Sequence, residues 1–327
     1  MDAHPAPKPA SLQEIRSRSW ERLARVSPVL EAHQTQLGPG DFSVDGVVAR
    51  ANEVWLIKNR LGPLSVGNIV PDPNVLAFLV PVKWQGDFRF NGTSSTNSTI
   101  FLGSGPDGYM TRGTGREYFN IGLDRGKFLH ALAALEGVHP GEIVLHDGAI
   151  TIPEFKVVRL RQVLQTFLNE LSGKLPSTWQ RQTLIAENLY GVMLEAYLAG
   201  VPTFKTRRPR AMSHERIVRI AEEHFASANG AAVSLVDLCN ATGVGRTVFY
   251  EAFAYLFGVS PLRYFKHRRL MQARESLMAP STPNVQVKDI ALSLGLTHLG
   301  RFSTEYRTLF GENPSSTLLN GREDDTV

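Results

Sequence analysis

The chain has 327 residues, of which 43% are hydrophobic, 20% charged and 9% aromatic, an ordinary composition for a globular protein of about two domains. A single cysteine, Cys239, excludes an internal disulfide and a zinc cluster built from cysteines. No run of about 18 apolar residues occurs, and the polar N-terminus lacks the apolar segment of a secretory signal. We therefore expect a cytoplasmic protein without a membrane span.

The formal net charge is +4, and the excess lies in the last third of the chain. Residues 1–202 contain 19 basic and 19 acidic side chains, whereas residues 203–321 contain 15 basic and 9 acidic ones. This asymmetry suits a neutral module joined to one that contacts a polyanion, although a solvated surface is also compatible with it.

Residues 42–152 predict a β-rich region. Short β-branched and aromatic runs, such as FSVDGVVAR, NVLAFLVPV and REYFNIGL, alternate with Gly, Pro and Asn at strand-length intervals. Within this region a short helix is predicted at Asp124–Leu135, with Asp124 as its N-cap and Gly137 just past its end. The pattern predicts a β-barrel or sandwich, and the chain as a whole belongs to the α+β class.

Two longer helices are predicted at Glu154–Leu171 and Thr178–Leu198, and their apolar stripes suit packing on the barrel or on a second subunit. The following segment contains prolines and basic residues without apolar periodicity, which is typical of a linker. We therefore expect a domain over residues 1–200, a basic linker over 201–212 and a second domain over 213–327.

The second domain contains an internal repeat. The segment LCNATGV…FYEAF…LFGVSP, from Leu238, recurs as IALSLGL…FSTEY…LFGENP, from Ile290. Each copy has the pattern of a helix, a turn with glycine and a second helix, which predicts a helix-turn-helix. In the first copy, Ser234 and Asp237 have the spacing of a capping box at the start of the leading helix. The two units are joined by a predicted helix at Pro261–Met278, so we expect an all-α domain with two helices suited to the major groove of DNA.

Apolar spacing predicts the buried face of each second helix. The buried stripes are Phe249, Ala252, Phe253 and Leu256 in the first copy, and Leu299, Phe302, Tyr306 and Leu309 in the second. The opposite faces carry the candidate DNA-reading residues Arg246, Thr247, Tyr250, Glu251, His298, Gly300, Arg301, Ser303 and Thr304. An arginine near the start of such a helix can form two hydrogen bonds to guanine.

Candidate phosphate contacts lie beside these helices. Ser260 and Asn313 each precede a proline at a predicted helix start, where free backbone amides suit a phosphate oxygen, and simple helix initiation is the alternative. Lys266, Arg268 and Arg269 on the joining helix are further candidates, and solvated surface charge is the alternative for them.

The region from about Ser213 to Leu318 resembles the C-terminal DNA-binding domain of the AraC/XylS family. The paired units, the tail GLTHLGRFSTEYRTLFGENPS and the joining-helix residues Arg263, Arg269, Ala273 and Arg274 carry this resemblance. Gly245 and Gly300 depart from it, since the family often has a polar side chain there. The N-terminal region resembles the cupin-like effector and dimerisation domain of one branch of the family.

This resemblance implies a homodimeric regulator that binds double-stranded DNA and a small organic effector, acts with RNA polymerase, and activates a catabolic operon without a cofactor. Aromatic residues at strand positions are the candidate pocket residues, with core packing as the alternative: Trp55, Phe78, Trp84, Phe90 and Phe119.

The sequence also bears on three other functions. A cupin enzyme needs an H-x-H metal motif, which His130, His139 and His146 do not form, so we expect neither a catalytic nor a metal site. A methyl-accepting DNA-repair protein needs several cysteines, which Cys239 alone does not provide. A constitutive dimeric DNA-binding regulator without an effector stays open.

Overall fold

The computed structural model describes residues 11–17, 20–172, 179–200, 213–228, 233–278 and 285–324. The predicted linker at 201–212 lies outside the described residues. The strands are β1 Ser11–Ser17, β2 Val29–Gln36, β3 Val44–Ala51, β4 Val54–Leu61, β5 Ser65–Pro71, β6 Val75–Phe90, β7 Thr93–Ser94, β8 Thr99–Gly103, β9 Tyr109–Asp124 and β10 Gly148–Thr151. The helices are α1 Glu21–Ala24, α2 Arg125–Glu136, α3 Glu154–Ser172, α4 Trp179–Gly200, α5 His214–Ser227, α6 Leu235–Thr242, α7 Arg246–Phe257, α8 Pro261–Met278, α9 Val287–Ser293, α10 Leu299–Phe310 and α11 Pro314–Asp324, with a 3-10 helix at Pro140–Glu142.

The strands form an antiparallel sheet centred on β6 and β9, the two longest strands. Residues 116–122 of β9 pair with β4 and residues 109–113 pair with β5, while β6 follows the other edge of β9. Gly115, with φ 51°, lies where the partner strand changes, and a left-handed residue suits such an irregularity. The prediction of a β-rich region followed by helices is confirmed, and closure into a cupin-like barrel stays a prediction.

One face of this sheet packs against three helices. Phe78, Phe119 and Ile121 form a buried cluster with α2, α3 and α4. The predicted short helix is present, because the Asp124 carboxylate accepts from the Lys127 amide and Gly137 ends the helix with φ 68°. The two predicted longer helices are also present, as α3 and α4.

The C-terminal helices pack directly on the sheet along β2. The Gln36 side-chain amide donates to the Leu309 carbonyl oxygen at 2.8 Å, and the Gln36 carbonyl oxygen lies 2.7 Å from His267 Nδ1. Arg112 Nε on β9 donates to the Phe257 carbonyl oxygen at 2.9 Å. These hydrogen bonds connect the sheet to α8, to α10 and to the end of α7.

No helix in the described ranges is long and apolar enough to span a membrane. Within the same ranges, no group of three or more His, Cys, Asp or Glu side chains is arranged to hold a metal ion.

Candidate nucleic-acid interface and effector cavity

The repeat predicted from the sequence folds into two similar helix pairs. The Ser234 hydroxyl accepts from the Asp237 amide, and the Asp237 carboxylate accepts from the Ser234 amide, so the predicted capping box starts α6. Gly243 and Gly295 occupy the turns with φ 67° and 71°, a conformation that favours glycine. The second helices, α7 and α10, each have 12 residues.

The first of these helices presents a polar face to solvent. Its predicted stripe is buried, namely Phe249, Ala252, Phe253 and Leu256. Arg246, Thr247 and Glu251 are exposed on the other side, and Tyr250 is half-buried. The Arg246 guanidinium lies 5.4 Å from the centre of the Tyr250 ring, a cation–π contact that holds it near the helix start. Gly245 caps the helix without a side-chain hydrogen bond, as its departure from the family pattern implies.

The second helix, α10, holds its arginine by an ion pair. Arg301 is 72% exposed, and its Nε donates to Glu305 Oε1 at 3.0 Å. Glu305 also pairs with Lys266 of α8 at 3.2 Å. Burial raises the pKa of Glu305, but hydrogen bonds from Arg301 and Lys266 outweigh it and leave the pKa below its usual value. The Thr304 hydroxyl donates to the Gly300 carbonyl oxygen at 3.0 Å, which leaves it available as an acceptor.

The predicted buried stripe of the second copy is wrong at Leu299. It is 39% exposed, whereas Phe302, Tyr306 and Leu309 are buried. Position 299 is the first of the helix, where the chain has only just left the turn that follows α9. His298 and Ser303 flank this region, exposed and half-buried respectively.

The two outward faces differ although the scaffold repeats. Arg246 is the first residue of α7, while Arg301 is the third residue of α10. An exposed Leu299 occupies the position that corresponds to Arg246, and an exposed Val248 the position that corresponds to Arg301. The two helices therefore offer different donor patterns, which suits the recognition of two different short sequences.

One predicted phosphate contact on the joining helix α8, that of Arg268, is wrong. The Arg268 side chain is 5% exposed and pairs with Glu222 of α5 at 3.1 Å, so its guanidinium is buried inside the domain and cannot reach a phosphate. Desolvation lowers the pKa of Arg269, whose half-buried guanidinium lies 5.6 Å from the Phe225 ring centre. Lys266 is held by Glu305. The phosphate contacts of Lys266 and Arg269 stay predictions.

Both predicted phosphate-binding helix starts are exposed. Ser260 accepts a hydrogen bond from the Arg263 amide at 3.3 Å, so its side chain caps α8. The Asn313 carbonyl oxygen accepts from the amides of Ser316 and Thr317 at the start of α11. The helix-initiation role is visible in the structure, and phosphate binding stays a prediction.

A largely apolar cavity lies on the sheet face away from α2–α4. It opens to solvent, and the centre of a water molecule can occupy about 40 Å³ of it. Aliphatic side chains such as Ile57 and Ile69 line it, and so do Trp20, Tyr109 and Tyr118. An apolar cavity with a few polar groups is the usual form of a small-molecule site.

The predicted pocket residues lie outside the lining of this cavity. Phe78 and Phe119 face the helices on the other side of the sheet, so the structure corrects their prediction as lining residues. Strand alternation is the reason, since Tyr118 and Asn120 line the cavity and Phe119 between them must point the opposite way.

The other three predicted aromatics have separate contacts. Phe90 stacks on Phe101 and Tyr109 within the core, and Trp84 lies 6.4 Å from the Phe88 ring. The Trp55 ring lies beneath the Arg50 guanidinium.

Sequence analysis did not identify the acidic residues that pair with the basic ones. It also did not identify most of the residues that line the cavity. The spacing of Arg301 and Glu305, four residues apart on one helix, carried a signal for their ion pair. No comparable signal identified Glu222, Trp20 or Tyr118, because their partners are distant in the chain.

The chain is similar to several known proteins. A family described as a helix-turn-helix domain matches residues 238–320. The chain is 30% identical over 139 residues to the XylDLEGF operon transcriptional activator 2 of Pseudomonas putida, covering 42% of this chain and 86% of that protein. It is 29% identical over 132 residues to a probable thc operon regulatory protein of Rhodococcus erythropolis, covering 38% of this chain and 40% of that protein. These relatives are transcription regulators and not enzymes.

A further relative, the XylDLEGF operon transcriptional activator of Pseudomonas putida, is 36% identical over 106 residues, only 32% of each chain. Among solved structures, the AraC-like transcriptional activator CuxR aligns with a TM-score of 0.43 and 13% identity, over 81% of this chain and 96% of that one. A probable AraC family transcriptional regulator from Rhodopseudomonas palustris CGA009 aligns with a TM-score of 0.30 and 34% identity, over 32% of this chain and 96% of that one.

Proposed function

The chain belongs to the AraC/XylS family of DNA-binding transcription regulators, and from this premise we propose that it activates a catabolic operon in response to a small organic effector. The observation that supports sequence-specific DNA binding is the pair of exposed helix faces on α7 and α10. Both helices are anchored by buried aromatic stripes, and α8 joins their units, so the two faces have a fixed separation. The direct-readout residues are Arg246 and Arg301.

The full site comprises the predicted reading residues. Arg246, Thr247, Tyr250 and Glu251 act from α7, and His298, Gly300, Arg301, Ser303 and Thr304 act at the start of α10. The exposed helix starts at Ser260 and Asn313, together with Lys266 and Arg269, contact phosphates. RNA polymerase is the partner of the activated state.

Selection of bound sequences from a random DNA pool, with the full chain at fixed salt, tests DNA reading. We expect one enriched site with two short blocks about one helical turn apart, roughly 10 base pairs, because each helix enters a major groove. The genes beside matching genomic sites indicate which compound to test, and a reporter for the operon then measures the response to it. If selection enriches no sequence, the chain binds DNA without reading it and the proposal is wrong.

The effector response rests on the apolar cavity and on the contacts of β2 with α8 and α10. The cavity lies within the sheet region, a cupin-like barrel in this proposal, and Gln36 of β2 bonds to both helices. A reporter that responds to no compound at all, while the selected site is still bound, would support the constitutive alternative instead.

We further propose that the protein is a homodimer joined through α3 and α4. Phe155 is 69% exposed on α3, and Val158 and Leu184 are exposed on the same pair of helices. We expect sedimentation of the full chain at micromolar concentration to show a dimer, and Phe155→Asp to shift it to a monomer.

Leu135→Asp is the matched control for this dimer, because Leu135 is as exposed but lies on α2. Its sedimentation should not change. A monomer at micromolar concentration, with and without DNA, contradicts the dimer.

A further inference from the structure

The sheet contacts the reading helices α7 and α10 at the ends that lie away from their reading residues. Arg112 Nε on β9 donates to the Phe257 carbonyl oxygen at 2.9 Å, and Phe257 is the last residue of α7. Gln36 Nε2 on β2 donates to the Leu309 carbonyl oxygen at 2.8 Å, and the Gly40 amide donates to the same oxygen at 3.1 Å. Leu309 lies in the last turn of α10. Each reading helix is therefore bonded to the sheet through its last turn.

The two acceptors occupy nearly equivalent positions of the repeat. Leu309 corresponds to Leu256, and Phe257 follows Leu256 directly. Carbonyl oxygens in the last turn of an α-helix have no partner within the helix, so donors from outside the helix satisfy them. The C-terminal end of a helix also favours a positive charge, such as the Arg112 guanidinium. The sheet thus caps both reading helices, each with a different side chain.

These hydrogen bonds lie in a buried interface. Gln36 is 0% exposed and the neighbouring Leu37 is 2% exposed. Leu37 belongs to the same buried cluster as Phe257 of α7, and Phe42 belongs to the same buried cluster as Phe310 of α10. Because packed side chains resist displacement in such an interior, the apolar contacts and the hydrogen bonds together fix the last turn of each helix on the sheet.

The segment that carries the donors to α10 is itself held by the sheet. The amides of Leu37 and Gly38 donate to the Leu64 carbonyl oxygen, just before β5, at 2.8 and 3.0 Å. The Gln36 side-chain amide also donates to the carbonyl oxygens of Gly38 and Gly40, at 2.9 and 2.7 Å. The donors to α10 therefore have fixed positions on the sheet.

The reading arginines lie far enough from these bonds for a small rotation to matter. Arg246 precedes Phe257 by 11 positions, and Arg301 precedes Leu309 by 8 positions. At about 1.5 Å per residue, these distances are about 16 Å and about 12 Å along the helix axis. A rotation of α7 by about 10° about its last turn would displace Arg246 by about 3 Å, close to the rise of about 3.4 Å per base pair.

We propose that Arg112 and Gln36 are positioning residues that set, together with α8, the spacing of the two DNA blocks that the protein recognises. This inference rests on the proposed reading of DNA by α7 and α10, and it adds what determines their spacing. The joining helix α8 connects the two units, whereas the sheet holds each reading helix by a separate bond. Loss of one bond should therefore let one helix tilt while the other keeps its position.

Competition binding of the full chain to three DNAs tests the proposal. These are the selected site and the same site with one base pair inserted or removed between its two blocks. The unaltered protein should bind the selected site about tenfold or more tightly than either respaced site, because a changed spacing displaces one helix from its base edges. The ratio of the affinities for the selected and the respaced sites is the spacing penalty.

Two variants each remove one side-chain bond to a reading helix. Arg112→Met acts on α7 and Gln36→Met acts on α10, and both leave an unbranched apolar side chain in place. Each should lower the spacing penalty about threefold or more and retain the base preferences within each block, because the reading side chains are unchanged. Arg112→Lys keeps a charged donor and should restore most of the penalty.

Arg161→Met is the matched control. Arg161 Nε donates to the Pro81 carbonyl oxygen at 2.6 Å and so joins α3 to β6 by the same kind of bond. Because α3 is not a reading helix, its spacing penalty should equal that of the unaltered protein. The unfolding temperature of every variant is measured alongside. Arg112 and Gln36 act on different helices, so either folded variant tests the proposal without the other.

An unchanged spacing penalty in the folded Met variants at 112 and 36 overturns the proposal and leaves α8 as the determinant of the spacing. Equal weakening on all three DNAs also overturns it, because the bonds then only stabilise the fold. The same holds if Arg161→Met lowers the penalty as much. If the unaltered chain enriches no DNA site at all, DNA reading by α7 and α10 is itself wrong and this inference falls with it, which keeps the two failures apart.

Discussion

Replacement of Glu222 by alanine is expected to lower the free energy of unfolding by about 3 to 5 kcal/mol, because it leaves the Arg268 guanidinium buried without its counter-charge. Both side chains are almost fully buried, at 5% and 4% exposure, and the pair joins α5 to α8. Urea unfolding of the full chain, followed by a signal from the C-terminal helices, measures the loss.

Two further variants separate the buried charge from simple side-chain loss. Glu53→Ala breaks an exposed ion pair with Lys127 and should change stability by about 1 kcal/mol or less. The double replacement Glu222→Leu with Arg268→Met should recover most of the loss, since a hydrophobic pair of similar volume is often neutral or stabilising. A loss below about 1 kcal/mol in Glu222→Ala contradicts the arrangement of α5 on α8.

Replacement of Arg301 by alanine is expected to relax base preference at one position of the selected site by about 1 to 3 kcal/mol, or about 5- to 150-fold. The side chain is 72% exposed on α10, and the ion pair with Glu305 uses only Nε. The terminal nitrogens are thereby available for a guanine, on a side chain that is already oriented. Competition of the full chain for single-base variants of the selected site measures the preference at each position.

Arg159→Ala is the matched control, because it removes an exposed arginine from α3, distant in sequence from the helix-turn-helix units. Its base preferences should equal those of the unaltered protein. If Arg301→Ala weakens binding to all sequences uniformly, Arg301 contacts a phosphate and its assignment to base readout is wrong.

Local patterns were sufficient for the helix-turn-helix units. The capping box at Ser234, the turn glycines and the stripe Phe249–Leu256 all depend on residues within a few positions of one another, and the structure bears them out. The sheet was harder to predict. β1, β2 and β5 went unrecognised, and the predicted run NVLAFLVPV proved to be part of the longer strand β6. Strand pairing depends on partners far along the chain, which a short window does not contain.

The amino-acid sequence by itself determined the family, the repeated DNA-binding scaffold and the outward placement of Arg246 and Arg301, because helical periodicity is a local property. Only the tertiary structure decided which charges are buried and which strand faces the cavity. It paired Arg268 with Glu222, placed Arg116 among neutral partners and turned Phe119 away from the cavity beside Tyr118. The physical reason is that burial and ion pairing join residues distant in the chain, and a strand exchanges its two faces with a shift of one residue.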